Sequence, residues 1–112
     1  LGRKFRLESA ALSCASTTAS LRLDQSNTGV STIEEKNDLS CVEDQSKVIT
    51  RLVETRTLDS FELSNIAMIK IDVEGHEEAV IEGAALTIAR NRPVLLIESE
   101  DRHNPGAPIR LA

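Results

Sequence analysis

Four acidic side chains stand where two buried strands are expected to end. They are Asp72 and Glu74 after the first strand, and Glu98 and Glu100 after the second. Because ligands of open α/β sheets bind beyond the carboxyl ends of parallel strands, we expect these carboxylates to meet at one sheet edge. A carboxylate there can take a proton from a hydroxyl, anchor a cofactor amine or bind a divalent cation, and the spacing alone leaves these roles open.

The elements that must position these acids read as strand, helix and strand. The run Ile66–Val73 is nearly continuously apolar, which is typical of a strand buried on both faces of a parallel sheet. Helical spacing from Glu77 to about Arg90 predicts a helix with a weak point at Gly83. The run Val94–Ile97 predicts a second buried strand, so the three elements form a βαβ unit of a Rossmann-like α/β sheet.

The first half of the chain predicts additional strands. Alternating apolar residues over 4–11 and 19–23 predict a hairpin, and the alternation resumes over 48–57. The segment 24–47 is a polar, acidic loop with six acidic and two basic residues, which is −4 of the total charge of −5. We interpret it as a solvated loop that contains one short strand at 29–33.

A short helical turn is predicted over 58–63, with Thr57 or Asp59 as its capping residue. Glu77 and Glu78 are interpreted as surface residues that complement the positive end of the following helix. His103 lies in a turn and is interpreted as a surface residue. His76 and Glu77 begin a zinc-protease HExxH pattern, but residue 80 is Val, so that motif is incomplete.

Composition excludes several classes of function. The net charge of −5, the lack of a basic run and an aromatic content of 2% argue against a nucleic-acid partner. No apolar run approaches the length of about 18 residues that a membrane-spanning helix needs, and no leader is evident, so the sequence predicts a cytoplasmic protein. Cys14 and Cys41 lack metal-ligand spacing and are interpreted as free thiols, with a single bridge between them as the alternative. The five glycines are too scattered to form a phosphate-binding loop.

Four segments of the chain, in this order and spacing, resemble the FkbM family of S-adenosylmethionine-dependent methyltransferases. These segments are Thr57–Phe61, Ile69–Glu77, Val80–Ala84 and Arg92–Glu98. The segments Ala10–Ser13 and Gly29–Thr32 resemble the middle region of the family. The similarity therefore covers most of the chain.

The resemblance implies a class I methyltransferase, with a Rossmann-like sheet, that O-methylates a hydroxyl on a sugar or other small metabolite. It implies catalytic positions at Asp72, Glu74 and His76, with Asp72 near the place where methyl group and acceptor meet. Methyl transfer is an in-line displacement, so the protein mainly positions the acceptor and handles its proton. We expect Asp72 to orient or deprotonate the hydroxyl, assisted by Glu74 or a divalent ion.

By the same resemblance, Ala11, Leu12 and Ser13 border the adenine of S-adenosylmethionine. The glycine-containing loop that holds the methionine part in this family has no counterpart among five scattered glycines. Residues 1–112 are therefore expected to be the C-terminal portion of one methyltransferase domain, and the isolated chain is expected to be inactive. The alternative is a non-catalytic α/β fragment or partner-binding module. The expected partner of the enzyme is a small-molecule acceptor, and the sequence leaves the oligomeric state open.

Overall fold

The chain has a mixed α/β fold in a computed structural model that describes residues 4–37, 39 and 42–111. The strands of this part are β1 (Ala11–Leu12), β2 (Thr18–Asp24), β3 (Asn27–Thr32), β4 (Val48–Arg56), β5 (Met68–Ile71) and β6 (Val94–Ile97). The helices are α1 (Glu77–Glu82), α2 (Ala85–Asn91) and α3 (Ala107–Leu111), with short 3₁₀ turns at Gln45–Lys47 and Leu58–Phe61. Strands, helices and turns follow the sequence prediction closely from residue 48 to residue 97.

Four of the strands form a mixed sheet in the order β1-β4-β2-β3. Strand β4 is antiparallel to β2, whereas β1 runs parallel to β4 and pairs Ala11 with Thr55. The predicted hairpin between 4–11 and 19–23 is therefore wrong, because Ala11 is the one residue of the first segment that is in a strand, and it pairs with β4 rather than with β2. The alternating Phe5 and Leu7 are exposed side chains and lie against no sheet face.

Strands β5 and β6 form a separate parallel pair, in which Met68 is opposite Val94 and Ile71 is opposite Ile97. Helices α1 and α2 connect them, which confirms the predicted βαβ unit. The prediction of burial on both faces is wrong. Met68 is 59% exposed and Val94 is 67% exposed, since only Ile71 of β5 is fully covered by the described part of the chain.

The predicted weak point at Gly83 is the place where the helical segment divides into α1 and α2. A Cβ atom on Gly83 would lie 2.1 Å from the carbonyl oxygen of Ser13. That approach is far below van der Waals contact, so only glycine lets the end of α1 pack this closely on the loop after β1. The helix break is thus tied to the position of Ser13.

The Thr57–Phe61 motif provides caps for two elements. The Thr57 hydroxyl accepts a hydrogen bond of 3.2 Å from the Ser60 amide and so caps the 3₁₀ turn. The Asp59 carboxylate accepts bonds from the amides of Leu86 and Thr87, at 3.1 and 2.8 Å. Because α2 has no side-chain cap of its own, Asp59 satisfies its free amides from a distance of 28 residues in sequence.

Replacing Asp59 with Ala should lower the free energy of unfolding by about 1 kcal/mol, the usual cost of a lost helix cap. Burial opposes ionisation, but hydrogen bonds from Thr87 and Leu86 hold the pKa of the Asp59 carboxyl below its ordinary value. Its contribution is therefore present above the ordinary Asp pKa of about 3.9 and is lost as the pH falls through the lowered folded-state pKa.

Urea unfolding at neutral pH and at about pH 3 measures both effects of the Asp59→Ala change. The difference between variant and native chain should shrink at the acidic pH. Glu82→Ala, which removes an exposed acid from α1, is the matched control and should leave the midpoint nearly unchanged. Equal midpoints for the Asp59→Ala variant and the native chain at neutral pH would contradict the capping role.

None of the helices in the described residues has the length and apolar character needed to cross a bilayer.

Candidate active site

The turn that follows β5 carries the three residues predicted to be catalytic. Asp72 is exposed directly after the strand, and the backbone then turns through Glu74 and Gly75, which have φ angles of 52° and 107°. A Cβ on Gly75 would lie 2.9 Å from the Cβ of His103, so glycine is needed here for both conformation and space. Because of this tight turn, the side chains of Glu74 and His76 contact different residues.

Glu74 is half-buried, and the Nε2 atom of His103 lies 3.1 Å from the Glu74 carboxylate. Burial raises the pKa of the Glu74 carboxyl, and repulsion by Asp72 and Glu100 adds to this effect, against the attraction of His103. Asp72 and Glu100, two of the other predicted acids, are therefore both close enough to influence Glu74. A carboxyl whose pKa is raised is better matched to proton transfer near neutral pH than an ordinary one.

The interpretation of His103 as a surface residue is wrong, because its side chain is buried. The turn that contains it folds over the β5 turn, and the Asn104 side-chain amide donates a 3.0 Å hydrogen bond to the Gly75 carbonyl. The buried Nε2 atom of His103 lies 3.1 Å from the Glu74 carboxylate, but within the described residues this contact does not have the geometry of a hydrogen bond. A turn sequence that looks solvent-facing thus becomes part of the site.

His76 lies between two side chains that are distant in sequence. Its Nδ1 is 3.0 Å from a carboxylate oxygen of Glu34, and its Nε2 is 2.9 Å from the Ser13 hydroxyl. The His76 and Glu34 side chains are only 15% and 14% exposed, and Ser13 is buried. These three residues form a hydrogen-bonded relay, which we call the Ser13–His76–Glu34 relay.

Glu34 lies in a loop that is hydrogen-bonded to the turn after β5. The Glu74 carbonyl accepts hydrogen bonds of 3.0 Å from the Thr32 hydroxyl and 2.8 Å from the Asn37 side chain. The Arg22 guanidinium binds the carbonyls of both Glu34 and Asn37. The loop 33–37 is therefore an ordered part of the site, and the interpretation of the whole 24–47 segment as a solvated loop is wrong. Its predicted short strand is confirmed as β3.

Ser13 is held by contacts on both sides. Its amide donates a 2.9 Å hydrogen bond to the Arg56 carbonyl, which extends the pairing of β1 with β4. The buried Thr55 hydroxyl donates to the Ala15 carbonyl at 2.8 Å and accepts from the Thr17 amide at 3.0 Å. The loop after Ser13 is thus fixed to the central strand. Ser13, Glu34 and His76 line one pocket of about 290 Å³.

Glu77 is fully buried, so its interpretation as a surface residue is wrong. One of its carboxylate oxygens accepts a 3.0 Å hydrogen bond from the Gly75 amide. The side chain folds back on the turn instead of facing solvent, because the turn has a buried donor to satisfy.

Glu78 is half-buried, Cys14 is exposed and free, and Cys41 lies outside the described residues.

The model of the methyltransferase FkbM domain family matches residues 6–109, nearly the whole chain. The chain belongs to the FkbM methyltransferase family. Neither a search of curated proteins nor a search of solved structures gave a match.

The three residues predicted to border a cofactor in this FkbM domain do not line a common pocket. Leu12 lines a pocket of about 250 Å³ together with Asp72, Leu58 and Val80. Ser13 instead lines the neighbouring pocket of the relay. Ala11 pairs with β4 and lines neither of these two pockets. In the described residues, no group of three or more His, Cys, Asp or Glu side chains is arranged to hold a metal ion.

Sequence reasoning missed Glu34 and assigned no role to His103. Glu34 contacts a residue 42 positions away, so no local spacing could connect them. The local signal was an acid with Thr32 two positions before it and Asn37 three positions after it, two residue types that commonly bond neighbouring backbone groups. Such a signal indicates an ordered turn but does not identify its partner.

Proposed function

We propose that this FkbM domain serves an S-adenosylmethionine-dependent methyltransferase that O-methylates a sugar or another small hydroxylated metabolite. The observation that carries the proposal is the family match over residues 6–109. The acids after β5 support it, because transfer to a hydroxyl requires a group that accepts the hydroxyl proton. The parallel β5–β6 pair with its connecting helices supports a Rossmann-like sheet for the whole enzyme.

The pocket beside Asp72 has the chemistry to take the adenosine part of the cofactor. Leu12, Leu58 and Val80 give it apolar walls suited to a planar base, and Asp72 lies at the same pocket, where the acceptor must approach the cofactor. When bound, S-adenosylmethionine supplies an electrophilic methyl group. The scattered glycines offer no loop for its methionine part, so we propose that a longer polypeptide supplies that loop and that the 112 residues alone are inactive.

Within this proposal, Glu74 takes the proton of the acceptor hydroxyl. It is half-buried, and burial raises its pKa, whereas Asp72 is exposed. Asp72 then orients the acceptor by hydrogen bonding. In the sequence prediction Asp72 was the main group and Glu74 assisted it, whereas here Glu74 accepts the proton and Asp72 assists. His103 positions the Glu74 carboxylate through the 3.1 Å contact.

The proposal is tested with S-adenosylmethionine that carries an isotopically labelled methyl group. The full-length native polypeptide should bind the cofactor in calorimetry and transfer the label to a panel of sugars and small alcohols. The 112-residue chain should show neither at micromolar cofactor. If the full-length polypeptide neither binds the cofactor nor transfers the label, the methyltransferase proposal fails.

A second candidate function is a non-catalytic module that binds a partner. The observation that favours it is the apolar surface of β5 and β6, where Met68, Val94 and Leu96 are all more than half exposed. The cofactor experiment separates the two candidates, because a non-catalytic module would leave the full-length polypeptide without methyl transfer.

A further inference from the structure

The Ser13–His76–Glu34 relay has the connectivity of an activated nucleophile. In such sites a hydroxyl contacts an imidazole, and the imidazole is oriented by a third group. Here the two contacts are 2.9 Å and 3.0 Å and involve the two different ring nitrogens of His76. We propose that Ser13 is a nucleophile that accepts the acyl group of small esters in the adjacent pocket.

The protonation pattern of the relay follows from the chemistry of its members. An ionised Glu34 carboxylate only accepts hydrogen bonds, so the Nδ1 of a neutral His76 carries the ring proton. The Nε2 atom is then an acceptor and faces the Ser13 hydroxyl, which donates to it. This tautomer is the one that a general base needs in order to remove a proton from a serine.

The relay is positioned by ordered elements, as a catalytic group must be. Ser13 is fixed by the backbone bond to Arg56 and by the close packing of Gly83 on its carbonyl. The Glu34 loop is fixed by Arg22, whose guanidinium binds the carbonyl of Glu34 itself. Both outer members are thus held independently of their contact with the imidazole, which reduces the entropy lost on aligning the three groups.

The pocket beside the relay indicates the substrate class. Its volume of about 290 Å³ suits a small molecule, and its walls include the apolar side chains Ala19 and Ile33 and the hydroxyl-bearing residue Thr17. The carboxylate of Glu34 in the same pocket disfavours anionic groups. We therefore assign short-chain esters that are neutral or cationic as the substrate class.

The reaction balances without any co-reactant other than water. Ser13 Oγ attacks the ester carbonyl carbon while its proton passes to His76 Nε2, and Glu34 stabilises the resulting imidazolium. The ester C–O bond then breaks, and the alkoxide leaves with the proton from the imidazolium. Water, deprotonated by His76, attacks the acyl-serine and releases the carboxylic acid together with free Ser13.

The direct test is covalent labelling of the 112-residue chain with a fluorophosphonate probe, followed by mass spectrometry of the peptides. The adduct should form on Ser13 and be absent in Ser13→Ala. In His76→Asn and Glu34→Gln the labelling rate should fall by about 10²-fold, the lower end of the usual contribution of a general base. Hydrolysis of p-nitrophenyl acetate should be abolished in Ser13→Ala and reduced by about 10²-fold in His76→Asn and Glu34→Gln.

Two matched variants complete the design. Ser16→Ala removes an exposed serine of the same loop, and Glu54→Gln removes an exposed acid next to Thr55, so both should be labelled like the native chain. Circular dichroism verifies that each variant is folded. No Ser13 adduct in the folded native chain, or equal labelling in a folded His76→Asn or Glu34→Gln variant, would overturn the proposal. Because no S-adenosylmethionine is involved, this outcome is independent of the methyltransferase test.

Discussion

Under the proposed function, a Glu74→Gln variant of the longer polypeptide should transfer methyl groups about 10²- to 10⁴-fold more slowly than the unsubstituted polypeptide, the range expected for loss of a general base. Its affinity for S-adenosylmethionine should be essentially unchanged. Gln fits the same space but cannot accept the proton, and the Glu74 backbone carbonyl keeps its bonds to Thr32 and Asn37. Single-turnover transfer of a labelled methyl group, together with calorimetry of cofactor binding, measures both quantities.

The matched control for this variant is Glu62→Gln. Both glutamates have a φ of 52°, so the control reproduces the same substitution at the same unusual backbone conformation, on an exposed residue away from the turn. Asp72→Asn should also slow transfer, but less than Glu74→Gln, because orienting the acceptor is a smaller contribution than removing its proton. A larger loss in Asp72→Asn would move the proton-accepting role to Asp72. Full activity in both variants would rule out the acidic turn as the reaction site.

A Gly83→Ala variant should lose about 1–3 kcal/mol of unfolding free energy, the usual cost of inserting a methyl group into a packed site. The reason is geometric, since the added Cβ would lie 2.1 Å from the Ser13 carbonyl oxygen and the neighbour is backbone rather than a flexible side chain. To relieve this clash, either α1 or the Ser13 loop must move. Ser13 labelling by the fluorophosphonate probe should therefore fall together with stability.

Urea unfolding gives the stability change of Gly83→Ala, and probe labelling below the transition gives the reactivity of the fraction that is folded. Ala89→Ser, an exposed change on α2, serves as the control and should alter neither by much. Native stability and native labelling in Gly83→Ala would show that the close approach of α1 to the Ser13 loop does not position the nucleophile.

The part of the fold that could be predicted from the sequence is the part determined by local patterns. Strands β5 and β6 and the helices between them follow from apolar runs and helical spacing within thirty residues. The helix break at Gly83 and the capping role of Thr57 are likewise local, because they depend on residue types with special backbone behaviour. Such features need no knowledge of what the chain packs against.

Pairing and burial could not be predicted, because they depend on distant residues. The alternation at 4–11 is typical of a strand, but β1 is held by β4, 44 positions away at the pair Ala11–Thr55, rather than by its neighbour in sequence. The apolar runs of β5 and β6 indicated strands correctly but did not reveal how much of each would be covered. Periodicity specifies which residues share a face and not what lies against it.

The site was predicted only in part for the same reason. The placement of acids after β5 and β6 follows from the general geometry of parallel sheets, and Glu74 does interact with Asp72 and Glu100. Glu77 and His103 are polar residues that sequence patterns assign to the surface, and both are buried against the turn at Gly75, where Glu77 accepts a hydrogen bond from the Gly75 amide and His103 lies beside the Glu74 carboxylate. Buried polar groups of this kind are visible only when their partners are known.

The sequence distances within the Ser13–His76–Glu34 relay also bear on the order in which the molecule folds. Ser13 and His76 are 63 residues apart, and His76 and Glu34 are 42 residues apart. Contacts that close such long loops lose much chain entropy before any interaction energy is gained. The β2–β3 pairing closes a very short loop and loses much less chain entropy. We therefore expect the relay to form after the β2–β3 hairpin and together with long-range pairings such as β1–β4, so a partly folded chain can contain the hairpin before Ser13 contacts His76.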